Sequence, residues 1–191
     1  NLMVLPIYAY GNSVLREKGI TLEKDHPGLQ DFIDNMFETM YDSSGVGSAS
    51  QQVGKAYRLF IVDASPFAED EGNEYLADFK KTFINPEIIE EDGDEWAFNE
   101  GCLSFPDLRF DVERNERVKI KYQDREFSTH IEEYTGVAAR IIQHEYDHVI
   151  GELFIDRISG LKRRMLSKRL DKISKGMIST SYKMKFAKAK R

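Results

Sequence analysis

The sequence has 191 residues, 41% apolar and 31% charged, with a formal net charge of −6 and a single cysteine. That length suits one domain with a substantial core, and the composition is that of a globular chain rather than a disordered one. One cysteine excludes an intrachain disulfide, and no apolar run approaches the ~20 residues that span a bilayer, so a reducing cytoplasmic setting with no membrane partner and no secretory leader is expected.

Residues 2–10 are apolar and run into Gly11-Asn12, a turn signal. Pro27 sits where a helix can start. Leu29, Phe32, Ile33, Met36, Phe37 and Met40 keep helical spacing to about Tyr41, which predicts an amphipathic helix facing the core. Residues 43–54 are mostly small and contain Gly45, Gly47 and Gly54; a buried strand, residues 59–62, follows at once. The stretch is read as a tight loop lining a cleft, because small side chains allow close approach to the main chain. Residues 65–78 are acidic and read as a surface loop. Residues 82–84 predict a short strand ended by Asn85-Pro86, residues 87–91 a second one, and Asp92-Gly93-Asp94 a turn. Val118, Ile120 and Tyr122 alternate with Lys119, Lys121 and Gln123, the period of a half-buried strand. Residues 127–131 are expected to pair with it across a turn near Asp124-Arg125.

Val137, Ile141, His144 and His148 follow at helical intervals and share one stripe, with Gly136 and Gly151 bracketing the run. Gln143-His144-Glu145-Tyr146-Asp147-His148 contains His-Glu-x-x-His. Two imidazoles one turn apart reach one metal ion, and the adjacent Glu145 reaches a water on it. Ile141, Ile142, Val149 and Ile150 make this a largely buried helix, where two imidazoles and a carboxylate are costly without partners. A satisfied histidine pair is the plainer alternative. A catalytic metal keeps three protein ligands and one open position. Several carboxylates could supply the third; Cys102, in the tight segment after Gly101, is the sharper candidate because a thiolate is a strong ligand for iron or zinc.

Residues 152–155 are short and extended. Ser159 reads as the N-cap of a last helix with Leu161, Leu166, Leu170 and Ile173 on one face, ended at Gly176. The chain is read as one catalytic domain, residues 1–176, followed by a weakly patterned basic tail, residues 177–191. Residues 161–191 hold 12 Lys and Arg against one acid, Asp171, for a net +11, while residues 1–160 carry −17. Such asymmetry points to a polyanionic partner such as RNA, or to a solvated tail. No DNA partner is expected.

Three segments, Gly45-Val46-Gly47-Ser48-Ala49-Ser50-Gln51-Gln52, Glu100-Gly101-Cys102-Leu103-Ser104 and Gln143 to His148, resemble in order and spacing the three motifs of the peptide deformylases. Residues 5–7, 14–16 and 151–157 are similar to that family too, so the likeness spans about residues 3–160. Other His-Glu-x-x-His enzymes lack the Glu-Gly-Cys-Leu-Ser element. The first motif departs from the family pattern, with Ser48, Ser50 and Gln51 in place of Leu-, Ala- and Pro-like residues.

Together the elements and the resemblance imply an α+β fold: antiparallel or mixed sheets packed around the central His-Glu-x-x-His helix, with an N-terminal and a C-terminal helix. The resemblance implies an enzyme that removes the formyl group from N-formylmethionyl peptides and releases formate. On that reading Cys102, His144 and His148 bind one divalent ion, ferrous iron in vivo with zinc or nickel retained on purification. Hydroxide generated there attacks the formyl carbon, Glu145 acts as general base and acid, and the Gln52 side chain and Leu103 N–H hold the oxyanion. The peptide adds as a strand along Val46, Gly47 and Gly101, the methionine side chain enters a pocket near Val137, Ile141 and His144, and Arg109 lies near the cleft mouth. Glu100 and Arg114 brace the site, and the basic C-terminal segment docks on the ribosome. Trp96 and Phe98 are read as core, His26 and His130 as ordinary. Two other readings stand beside this one. A zinc metalloprotease would share the helix but need no cysteine ligand, and a ribosome- or RNA-binding factor would carry a structural metal with four protein ligands.

Overall fold

A computed structural model describes residues 2–187; residues 188–191, the end of the expected basic tail, lie outside them. In chain order the elements are β1 (Ile7–Tyr8), α1 (Leu29–Asp42), β2 (Gly47–Ala49), β3 (Leu59–Asp63), β4 (Lys80–Cys102), β5 (Phe105–Gln123), β6 (Thr129–Thr135), α2 (Gly136–Val149), α3 (Gly160–Met165), α4 (Ser167–Ser174) and β7 (Met184–Lys185). Strands β2-β3-β4-β5-β6 form an antiparallel sheet in that order, and β1 pairs with β7 in a separate parallel pair. The α+β architecture, an antiparallel sheet with several helices, is as the sequence implied.

Strand β3 shows how one short run serves two cores. Its period of two sends Phe60 and Val62 into the cluster that holds Ala138, Ile141 and Ile142 of α2. Leu59 and Ile61 point the other way, into the cluster that holds Ile33, Met36, Phe37 and Met40 of α1. The methionine and phenylalanine stripe of α1 is therefore core. Val118, Ile120 and Tyr122 of β5 face α2, while Leu108, Phe110 and Val112 of the same strand join a third cluster with Phe154, Leu170 and Ile173.

Three expectations change. The two short strands of residues 82–91 belong to one long strand, β4, which pairs with β5. Asn85-Pro86 marks a shift in register between Ile84 and Glu87 rather than an end. A proline cannot donate to the ladder, so it sits where the ladder is interrupted, and the Asn85 side chain bridges the gap by bonding Leu22 and Gln123. The single last helix is two helices meeting at Leu166. Ser159 does cap the first, its hydroxyl accepting from the Lys162 N–H. Leu161 falls ahead of the break and is 66% exposed, while Leu170 and Ile173 pack inward. Residues 177–187 have a definite course. β7 lies beside β1, with the Ile7 N–H donating to Lys183 O at 3.0 Å and the Ala9 N–H to Lys185 O at 2.9 Å, and Ile178, Met184 and Phe186 pack against the third core cluster.

Candidate active site

The site grows from α2. Thr135 and Gly136 turn the chain directly from β6 into the helix, and Ile150 caps it before Gly151. The 3.6-residue period brings His144 beside His148, the rings edge to face with centroids 5.4 Å apart, and both are buried. Cys102 is the last residue of β4 and pairs with Phe105, leaving Leu103-Ser104 as a two-residue turn. That hairpin end carries the thiol to the helix.

The ligand atoms of Cys102, His144 and His148 lie within 4.8 Å of one another. A tetrahedral ion with bonds of about 2.3 Å to sulfur and about 2.0–2.1 Å to nitrogen has a sulfur–nitrogen edge of about 3.5 Å. Cys102 Sγ lies 3.5 Å from His148 Nε2. Donor identity and spacing therefore fit one divalent ion. Burial, aided by the charge of His144, lowers the pKa of His148 to about 3, which keeps this imidazole neutral as a ligand must be. Burial would lower His144 as well, but hydrogen bonds with Cys102 and Glu100 and the charge of Glu145 hold it above its usual value. A proton and an ion compete for the same nitrogen, so binding the ion releases that proton. The Nδ1 of His144 is already engaged with Glu100 Oε1 at 2.8 Å, which orients the ring and leaves Nε2 for the ion.

A charged scaffold lies beneath. Glu100 accepts from Arg114 Nε at 2.8 Å and Nη2 at 3.0 Å, and from Arg140 Nη1 at 3.0 Å. Asp147 accepts from Arg114 Nη1 at 2.8 Å and from Arg157 twice at 2.7 Å. Burial opposes ionisation of Glu100, but His144 and Arg114 outweigh it and hold the carboxyl well below its ordinary value. The sequence pointed to Glu100 and Arg114 and missed Arg140, which is 1% exposed and stacks over the Trp96 ring at 4.7 Å. Its signal was available: a charge one turn before His144, on the same stripe as Gln143, His144 and Asp147.

Above the donors opens a cleft of about 390 Å³. Val46, Gly47, Gln52, Gly101, Leu103, Arg109, Ile141 and Glu145, all expected at the site, line it; Val137 does not, and packs instead against the core between α2 and the sheet. Phe98, read as core, lines the cleft with Arg140 and Tyr182, which the sequence reading did not single out. His26 and His130 lie elsewhere, one against Tyr57 and the other paired with Asp124.

The glycines of the first motif sit at close contacts. A Cβ on Gly47 would lie 2.9 Å from Glu145 Cγ, and one on Gly45 would lie 2.8 Å from Leu103 Cδ1. These positions let the three motifs close on each other. Gln52 is oriented at both ends: its carbonyl accepts from the Ala49 N–H at 3.0 Å, and its amide donates to Ser104 Oγ at 3.2 Å and Cys102 Sγ at 3.4 Å. The unusual Ser48, Ser50 and Gln51 are buried and do not line the cleft. Ser50 bonds the Tyr57 backbone, and Gln51 donates to Glu17 O and Val149 O, so both brace the loop from behind. Glu145 projects into the cleft with Oε2 buried and without a hydrogen-bond partner among the described residues; burial is the main reason its pKa rises to about 7.

Comparison with known proteins supplies the family. Residues 4–164 match the family model described as polypeptide deformylase. The chain is 50% identical to the peptide deformylase of Christiangramia forsetii, with 99% of each chain covered. Among solved structures, that of a Legionella pneumophila peptide deformylase aligns with a TM-score of 0.77 at 36% identity, covering 89% of this chain and 95% of the other. The Thermotoga maritima peptide deformylase aligns with a TM-score of 0.72 at 40% identity, covering 82% and 99%. Motifs, donor geometry and likeness along nearly the whole chain converge, and the protein belongs to the peptide deformylase family.

Proposed function

We infer that the protein is a metal-dependent amide hydrolase that removes the N-formyl group from N-formylmethionyl peptides and releases formate. The observation that carries this reading is the convergence of Cys102, His144 and His148 on the floor of a cleft into which Glu145 also projects. When bound, a divalent ion supplies Lewis acidity, which acidifies water and polarises a carbonyl.

The chain's own residues do the rest. Glu145, held near neutrality by burial, takes a proton at its carboxylate from the attacking water and returns it to the leaving amine. The amide of Gln52 and the N–H of Leu103 donate to the oxygen that gains charge; one such donor is typically worth about 3–4 kcal/mol of barrier. β2 is an edge strand of the sheet, so a peptide can add along Val46 and Gly47, with Gly101 across the cleft. Ile141 and His144 border the space for the methionine side chain, and Arg109, held to Asn99 by two hydrogen bonds, borders the mouth. Formate release from a formyl-Met peptide, lost in Cys102→Ser together with the metal, tests the reading. A Cys102→Ser variant that keeps its metal would point to a protease-type centre instead.

One thiolate and two imidazoles suit iron, zinc or nickel. We assign ferrous iron in vivo: protein prepared without oxygen should lose activity in air, as an exposed iron–thiolate site oxidises, whereas a native zinc protein would not. We place the protein in the cytoplasm, where its substrate is made. The exposed basic side chains of α3 and α4, Arg164, Lys168 and Lys172, form the face we assign to ribosomal RNA. Because β7 is part of the fold, charge reversal of these three is the test; unchanged ribosome affinity and an unchanged salt slope would refute the assignment.

A further inference from the structure

We propose that Tyr182 is a positioning residue: its hydroxyl, brought in by the C-terminal strand, fixes the Leu103 peptide so that the Leu103 N–H stays aimed into the cleft. The proposal rests on the deformylation reading and on Leu103 as an oxyanion donor.

The two residues of a tight hairpin turn lie outside the ladder, so their carbonyls need partners elsewhere. In the Leu103-Ser104 turn both find one. Tyr182 Oη donates to Leu103 O at 2.6 Å, and the Tyr10 N–H donates to Ser104 O at 2.9 Å. The two donors come from opposite ends of the chain, and those ends are joined to each other. Ile7 pairs with Met184 and Tyr8 with Lys185, and the Asn12 side chain adds a bond to Lys185 O at 3.0 Å. Tyr10 also stacks on Phe105, the residue just after the turn, at 4.9 Å. Consecutive carbonyls of the catalytic turn are thus clamped by a closed loop of chain.

Cys102 is held on the other side of Leu103 by its strand pairing with Phe105. With Cys102 and Leu103 O both fixed, the intervening N–H has little freedom. An oxyanion donor acts through preorganisation, so freedom at this peptide lowers the rate without loosening the ground-state complex. Tyr182 also borders the cleft, so its ring has a second, separable effect on peptide binding.

The test compares wild type with Tyr182→Phe, which keeps the ring and deletes the donor, both loaded with zinc. Formate release from a formyl-Met tripeptide gives kcat and KM, and amide hydrogen exchange across residues 101–106 and α2 is read in the same samples. Losing one hydrogen bond predicts a fall in kcat of about 3- to 10-fold. KM should stay within about twofold, zinc content should hold, and exchange should quicken at Leu103 and Ser104 but not in α2. Unchanged kcat, a change in KM alone, or unchanged exchange at Leu103 would overturn the proposal, the second leaving Tyr182 as a wall of the cleft. Wild type that releases no formate would sink the deformylation reading instead, and exchange alone would then decide the clamp.

Discussion

Arg114 and Arg117 stand three residues apart on β5, and each gathers several carboxylates. Arg114 binds Glu100 and Asp147 with its side chain 2% exposed. Arg117 binds Glu90, Asp92 and Glu133, partners 49–60% exposed. On the outer ribbon water and salt screen the attraction, so the cluster contributes little. Beneath α2 the same chemistry has been taken out of water, which is costly unless every charge is met. That cost is offset where Glu100 is met by Arg114, Arg140 and His144 and Asp147 by Arg114 and Arg157. Arginine–carboxylate pairs decorate one region and hold the His144 ring in the other; burial makes the difference.

Glu145 gives the strongest test of this contrast, being the buried carboxylate without a guanidinium. Glu145→Gln should lower kcat by about 10²- to 10⁴-fold while the urea midpoint and metal content hold, because no brace is removed. A drop in stability as large as that of a scaffold variant would place Glu145 in the scaffold. Arg114→Met should cost about 3–5 kcal/mol in equilibrium urea unfolding, since Glu100 and Asp147 are left buried and under-paired. Metal content and kcat should fall with it as His144 loses its restraint. Arg117→Ala should leave the midpoint within error at physiological salt and show a small loss only at low salt. A loss that persists at high salt would erase the distinction between the two clusters.

The smallest effect is in acid. Burial raises the Asp156 carboxyl, but hydrogen bonds from Arg16 and the Leu153 N–H and the charges of Arg16 and Arg163 outweigh it, so its folded pKa lies below the ordinary 3.8. A depressed carboxylate contributes stability that is fully present above the unfolded pKa and is lost as pH falls through the folded one. Wild type should therefore lose its advantage over Asp156→Asn as pH drops below about 3.8, read from urea midpoints. An advantage unchanged down to pH 2 would show that the Arg16 pair does not titrate with folding.

The legible parts were local. His144, His148 and Glu145 declare themselves through helical spacing within five residues, and α1 through its apolar stripe. The alternation of Val118, Ile120 and Tyr122 marked the last third of β5, but its first half, carrying Leu108, Phe110 and Val112, was not read as strand. Asn85-Pro86 looked like a stop because proline ends most strands; here a register shift absorbs it. Tyr182, Met184 and Phe186 alternate inward with exposed Lys183 and Lys185, a strand signature hidden among many basic residues.

The amino-acid order by itself placed His144, His148 and Glu145 together, because a helix turns neighbours in sequence into neighbours in space. With the three motifs it also marked Cys102 and Gln52. Tertiary structure alone decided that Arg140 shares Glu100 with Arg114, that Val137 turns into the core, and that both chain ends meet over Leu103-Ser104. Those contacts join residues tens of positions apart, and strand register and helix docking, which bring them together, are properties of the packed whole.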